Sequence, residues 1–328
     1  MPIGRPSVLV RRPFHIPHSD FRIPAPLPLG ADAASWGRMS APARKGPFSL
    51  LEVVRSSTAY LERHAVESAR LNAEHLAAHV LGKKNRIDIY LEFDRPLGPA
   101  ELDPMRELLR RRAAGEPLQH LLGTVDFHGR EFRCDARALV PRPETERLVE
   151  LVLERIPTDF TGAVLDVGTG SGVIALTIAA ERPAARIVAV DQSAEALTLA
   201  RENAAQLGVE TRVKFVPSDL LAGLEETGFE FIVANLPYVP TDEIAGLSRE
   251  VQRDPALALD GGTDGLDLVA RLAREARPRM QAGGLLALEI GHDQAERVQK
   301  LLADTGWTGI STAPDYQQIA RFVFALAA

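Results

Sequence analysis

From about Thr145 onward, short strand-like apolar runs alternate with helical runs, and this alternation restricts the fold more than any other feature. The strand-like runs lie at residues 163–167, 186–190, 213–216, 231–234 and 285–290, and the helical runs at 172–180, 194–207 and 266–280. Strands covered on both faces read as continuous apolar stretches, and strands separated by helices cross over and pair in parallel. The pattern predicts an α/β fold, a mostly parallel sheet with helices on both faces. Segments around 308–312 and 320–326 are expected to form an antiparallel pair at its edge.

The preceding stretch obeys a different period. Between 48 and 117, Leu50, Leu51, Val54, Leu61 and Val66, then Ala69, Leu76, Ala77, Val80 and Leu81 recur at three- and four-residue steps, with Gly82 as a stop. Pro104 sits in the first turn of a further helix carrying Met105, Leu108 and Leu109 and ending near Gly115-Glu116-Pro117. These make a small helical domain. Residues 118–143 read as a β-hairpin linker, with Val125, Phe127, Phe132 and Val140 around the turn-forming His128-Gly129, leaving 144–328 for the α/β domain. Residues 1–47 hold nine prolines, seven basic and two acidic side chains and no apolar period, so a disordered tail is expected. The prolines break the amphipathic helix of a transit peptide, which leaves a basic tail or an over-long start with Met39 as initiator.

With 44 acidic against 38 basic residues, net charge −6, the chain is a poor polyphosphate binder, and direct nucleic-acid binding is not expected. It has no apolar stretch near the roughly 18 to 20 residues that cross a bilayer, and Cys134 is its single cysteine, so a soluble, cytoplasmic protein is expected. His75 and His79 are four apart, but position 76 is Leu where the zinc motif needs Glu, so no metal site is expected. For Cys134, packing is the reading. Arg110, Arg111 and Arg112 read as a solvated helix end that suits the dipole, with partner docking as the alternative.

Chemistry concentrates where strands end. The run Val164-Leu165-Asp166-Val167 leads into Gly168-Thr169-Gly170-Ser171-Gly172 and then a helix, with glycines that let backbone amides approach a ligand. A dinucleotide fingerprint from Gly168 would end at Val173; from Gly170 it ends at Ala175, a tolerated variant. The tighter Gly-x-Gly-x-Gly spacing resembles the first motif of S-adenosylmethionine (SAM) methyltransferases, which implies that the loop wraps the methionine end of SAM with Asp166 facing its ammonium. Asp191 ends the next strand, placed to accept both ribose hydroxyls, and Asp219-Leu220 follows the third, beside the expected adenine.

The strand 231–234 runs straight into Asn235-Leu236-Pro237-Tyr238. A planar amide or exocyclic amine has a delocalised lone pair but two N–H donors, so a site that methylates it must supply acceptors. Asn235 offers its side-chain oxygen and Leu236 its carbonyl; Pro237 biases Leu236 towards extended backbone, and Tyr238 is expected to stack on the planar group.

The segment Leu139-Val140-Pro141-Arg142-Pro143-Glu144-Thr145-Glu146 is the most specific of all. With Leu121-Leu122-Gly123 and Phe127 before it, and 254–259, 261–266 and 288–291 after the SAM loop, it makes the chain resemble the release-factor glutamine N5-methyltransferase family (HemK/PrmC) from about Phe48 to the C-terminus. The resemblance implies a class I SAM-dependent methyltransferase, Rossmann-like, with a seven-stranded mostly parallel sheet behind a helical docking domain. It implies catalytic roles for Asn235, Pro237 and Tyr238, and substrate contacts by Phe127 and residues 235–238. The implied substrate is the Gly-Gly-Gln glutamine of class I peptide chain release factors, and the coproduct is S-adenosylhomocysteine. Leu236 departs from the family's usual Asn-Pro-Pro-Tyr; the acceptor there is a backbone carbonyl, so chemistry should survive with less rigidity.

Competing readings are ribosomal RNA adenine methylation, which faces the same NH2 problem but calls for a basic surface; ribosomal-protein glutamine methylation; and a SAM-binding scaffold without catalysis.

Overall fold

A computed structural model of the protein describes residues 48–328; the expectations for 1–47, including initiation at Met39, lie outside the described residues. Helix α1 (Leu50–Arg63) opens with a reciprocal cap, Glu52 N donating to Ser49 Oγ at 3.3 Å and Ser49 N to Glu52 Oε2 at 3.0 Å. Its buried residues Leu50, Val54, Ser57 and Leu61 form one stripe. Helices α2 (Ala69–Val80), α3 (Pro99–Ala113) and α4 (Leu118–Leu122), with a 3-10 helix at Arg86–Glu92, close a core of Leu50, Leu61, Leu76, Ile89, Met105 and Leu121.

The strand reading of 118–122 is corrected: Leu118, Leu121 and Leu122 complete the helical core, and Gly123 at φ 75° ends the turn. The hairpin itself is β1 (Thr124–Phe127) with β2 (Arg130–Arg133). His128 and Gly129 both have positive φ, 49° and 70°, as a two-residue turn matching the strand twist requires.

Helix α5 (Pro143–Leu153) precedes the alternating part: β3 (Ala163–Val167), α6 (Val173–Glu181), β4 (Arg186–Asp191), α7 (Ala194–Leu207), β5 (Val213–Pro217), β6 (Phe229–Asn235), α8 (Asp267–Ala276), β7 (Met280–Glu289), α9 (Ala295–Asp304), β8 (Thr308–Pro314) and β9 (Ala320–Leu326). The strands form a seven-stranded sheet of order β5-β4-β3-β6-β7-β9-β8, in which β9 alone runs opposite to the other six. The antiparallel pair is therefore at the edge, as expected, but the last strand inserts inside the one before it. Met280, read as the end of a helix, begins β7.

Side chains alternate across the sheet. Leu165, Val167, Val188, Val190 and Ile232 join Val269, Leu272 and Val298 of α8 and α9 on one face; Val164, Ile187, Ala189 and Val233 join Leu148 of α5 and Ile174 and Ile178 of α6 on the other. From β3 the chain first builds outward through β4 and β5, then returns to add β6 on the other side. The crevice left beyond the carboxyl ends of β3 and β6 is where ligands bind in such sheets.

Candidate active site

That crevice is a cavity lined by Gly168, Thr169, Gly170 and Ser171 after β3, Asp191 after β4, Asp219 and Leu220 after β5, and Asn235, Leu236 and Pro237 after β6. Its outer wall comes from the Pro-Arg-Pro-Glu-Thr-Glu segment (Pro141, Arg142, Thr145) and from Pro255 and Leu257.

The glycine loop has positive φ at Gly168 (72°), Gly170 (56°) and Gly172 (87°), conformations that L side chains rarely adopt. It is tied to the neighbouring strand: Gly168 N and Thr169 N both donate to Val190 O at 2.9 Å, and Gly170 N to Asp191 Oδ2 at 2.8 Å. Asp191 Oδ1 accepts Ser193 N at 2.8 Å. Burial raises the Asp191 carboxyl above its usual value, and these amide donors pull it back.

Asp166 is a correction. It does not line the cavity; it is fully buried behind the loop, where Oδ2 accepts Thr169 Oγ1 at 2.6 Å and Ala175 N at 3.1 Å, fastening the loop to the first turn of α6. Burial pushes its carboxyl up to about 7. Gly172 also stands off the cavity wall; a Cβ there would press on Leu176 and Ala200, so it serves the packing of α6. Asp219 is at the wall, but its carboxylate already accepts both arms of Arg271, at 3.2 and 3.0 Å.

At the end of β6, Asn235 Nδ2 donates to Thr145 Oγ1 at 3.0 Å. Leu236 buries its side chain in the sheet core beside Gly168, where a Cβ would come within 3.1 Å of Leu236 Cδ2, so this substitution for proline packs the turn against the glycine loop. Tyr238 is half-buried and off the cavity wall; its carbonyl accepts Gln294 Nε2 at 3.0 Å, and the expected stacking platform is not part of the lining. Phe127 is likewise removed from the cavity, 1% exposed in the core with its ring edge-on to Phe132 at 5.9 Å. An aromatic directly before a tight turn signals a hairpin equally well in core or site, which is why sequence alone misplaced it.

Several residues were missed. Glu289, the last residue of β7, is buried beside Asn235; Asp254 is buried and accepts Val140 N at 3.2 Å and Arg142 Nη2 at 2.8 Å, holding the outer wall. Arg112 is no solvated arginine: 5% exposed, it donates to Asn72 Oδ1 at 2.7 Å, Glu116 O at 3.0 Å and Glu250 Oε2 at 2.5 Å. Arg110 and Arg111 remain at the surface, paired with Glu107 and Glu116. Asp254 and Glu289 lie in the segments 254–259 and 288–291 that carry the family resemblance, and Arg112 in the arginine run, but acidic and basic residues at loop and helix ends read as solvated, so sequence alone assigns none of them this role.

A doubly wound sheet whose first strand opens onto a glycine turn sets a ligand cleft at the switch in strand order, and likeness to known proteins gives its class. Residues 145–249 match the family model of the methyltransferase small domain. The chain also superposes on the catalytic domain of hMettl16 over 68% of its own length and 82% of that chain, with a TM-score of 0.51 at 15% identity, a likeness of fold. This is a SAM-dependent methyltransferase.

Residues 52–123 match the PrmC N-terminal domain. The chain is 44% identical over 278 residues to the release factor glutamine methyltransferase of Deinococcus radiodurans, covering 85% of this chain and 98% of that one. It is 40% identical over 277 residues to that of Geobacter sulfurreducens, covering 84% and 96%. The chain belongs to the release factor glutamine methyltransferase family.

The residues present fit SAM. The glycine cradle leaves room for a backbone-like group, the first residues of α6, Val173 and Ile174, line the cavity where helix amides favour an anion, and Asp191 supplies acceptors.

Proposed function

We propose that this protein transfers the methyl group of SAM to the side-chain amide nitrogen of the Gly-Gly-Gln glutamine of class I peptide chain release factors. The observation that carries the reading is the placement of Asn235, Leu236 and Pro237 on the same cavity wall as Gly168–Ser171, in a chain of this family. When bound, SAM supplies an electrophilic methyl on a sulfonium sulfur. Gly168, Thr169, Gly170 and Ser171 hold its methionine end, Asp191 its ribose, and Asp219 and Leu220 flank its adenine. Asn235 Oδ1 and the Leu236 carbonyl accept the two N–H groups of the substrate amide and turn its nitrogen toward the methyl. Pro237 fixes the turn. Tyr238 contributes from outside the wall, through a backbone anchored by Gln294.

Alignment of this kind supplies about 7–11 kcal/mol of barrier lowering, and acceptors facing a nitrogen that becomes positive add to it. We infer a cytoplasmic enzyme from a substrate that acts in translation; among the described residues no helix is long and apolar enough to cross a membrane.

The test is transfer of labelled methyl from SAM to release factor, ribosomal protein and ribosomal RNA offered separately, with mass spectrometry of the release-factor peptides for a gain of about 14 Da at the loop glutamine. Label in RNA alone would refute the reading.

A further inference from the structure

An asparagine side chain presents an oxygen and an NH2 group of nearly the same shape, so what stands behind it decides which one faces a substrate. For a substrate that offers two N–H donors, only the oxygen is useful. The structure behind Asn235 is therefore part of the chemistry.

Asn235 and Glu289 are the last residues of β6 and β7 and stand opposite each other in register. Thr145, in the first turn of α5, closes over both: Thr145 Oγ1 donates to Glu289 Oε2 at 2.9 Å and accepts Asn235 Nδ2 at 3.0 Å. Thr145 and Glu289 are each 3% exposed. A hydroxyl has one proton to give. When Glu289 is ionised that proton is directed at its carboxylate, which the Asn235 side chain also meets, and the hydroxyl lone pair is what remains for Asn235, so the amide NH2 turns inward and Oδ1 is left for the cavity.

We infer that Thr145 and Glu289 are positioning residues that set the polarity of Asn235, holding its side-chain oxygen toward the substrate amide. This rests on the reading of Asn235 as the substrate acceptor. A purely structural tie between α5 and β7 would be complete with the Thr145–Glu289 bond alone; the third member at the cavity wall is what gives the relay a direction. It also assigns a task to the threonine of the Pro-Arg-Pro-Glu-Thr-Glu segment, which the sequence places 90 residues away from Asn235.

The test compares Thr145→Val, which keeps shape and removes the hydroxyl, Thr145→Ser, which keeps the hydroxyl, and Asn235→Ala, all in the full chain with release factor and SAM. Thr145→Val is expected to lower kcat about 100-fold, the scale of a misplaced reacting group, with SAM affinity and release-factor KM each held within about threefold. Thr145→Ser is expected to restore kcat to within about threefold of the parent. Glu289→Gln, which can offer Thr145 either a donor or an acceptor, is expected to lower kcat by about tenfold, and it stands in should Thr145→Val not fold. Full kcat in the folded Thr145→Val or Glu289→Gln protein, while Asn235→Ala is inactive, overturns the relay and leaves Asn235 in place. Full kcat in Asn235→Ala overturns the acceptor reading, and the relay with it.

Discussion

The backbone amide of Gly170 donates to the Asp191 carboxylate at 2.8 Å, so the loop proposed to receive the methionine end of the cofactor is fastened by the residue proposed to hold its ribose. Asp191 thus has two tasks: it sets the loop's conformation and presents acceptors to the cavity. The two halves of the cofactor site are coupled through one side chain.

Asp191→Ala is accordingly expected to weaken SAM by more than a lost ribose contact. Hydrogen bonds to a charged group are worth about 1.5–3 kcal/mol each, so affinity should fall at least about tenfold, read by calorimetry. An unchanged affinity would refute both tasks.

The Gly-Gly-Thr-Asp-Gly segment wraps the back of the Asn-Leu-Pro-Tyr turn. A Cβ on Gly261 would come within 2.8 Å of Pro237 O, and one on Gly265, whose φ is 75°, would overlap the Tyr238 carbonyl and the Gln294 amide that binds it. Gly265→Ala is expected to cost about 1–3 kcal/mol in urea unfolding from the backbone conformation alone, and to lower kcat by displacing the turn. A variant with parental stability and kcat would show that the turn tolerates displacement.

Glu289 carries a pH signature. Burial pushes its carboxyl from the usual 4.5 up to about 7, with Glu144 of α5 pushing the same way and the Thr145 hydroxyl, Arg321 of β9 and the Asn235 amide opposing; Tyr238 faces it as well. The folded state then binds its proton more tightly than the unfolded chain. The stabilisation is fully present below pH 4.5 and is lost as pH rises through about 7. Unfolding free energy of the parent minus that of Glu289→Gln should therefore fall across this window, by about 1–3 kcal/mol, in denaturant titrations at several pH values. A flat difference would mean that Glu289 is solvated or fully paired in its charged form.

Arg112 ties the helical part to the segment following the turn, through Asn72 and Glu250. Replacing it with Met keeps the stem's packing but leaves Asn72 Oδ1 without this donor and Glu250 without its cation. A loss of about 1–3 kcal/mol is expected, with SAM affinity unchanged, since Arg112 is not at the cavity. Parental stability would return Arg112 to the class of surface arginines.

The order of elements, the helical domain followed by a mostly parallel sheet, and the turns that carry the site were written in local signals. Apolar period separates 50–81 from 163–234, and glycines mark the loop after β3 because backbone conformation there excludes side chains. The Asn-Leu-Pro-Tyr turn was legible for the same reason: it interrupts an apolar strand at its carboxyl end. What a side chain faces was decided only when the sheet closed. Asp166 and Asp191 both sit near strand ends, yet one lies behind the loop and the other at the cavity, because the pleat and the switch in strand order send them different ways. Phe127 went to the core, and Glu289, an ordinary acid at the end of a strand, came to stand behind Asn235 through register between strands far apart in the chain. Sequence determines local periods and conformations because these depend on neighbouring residues; burial and partnership depend on residues brought together by packing, and only the assembled sheet contains them.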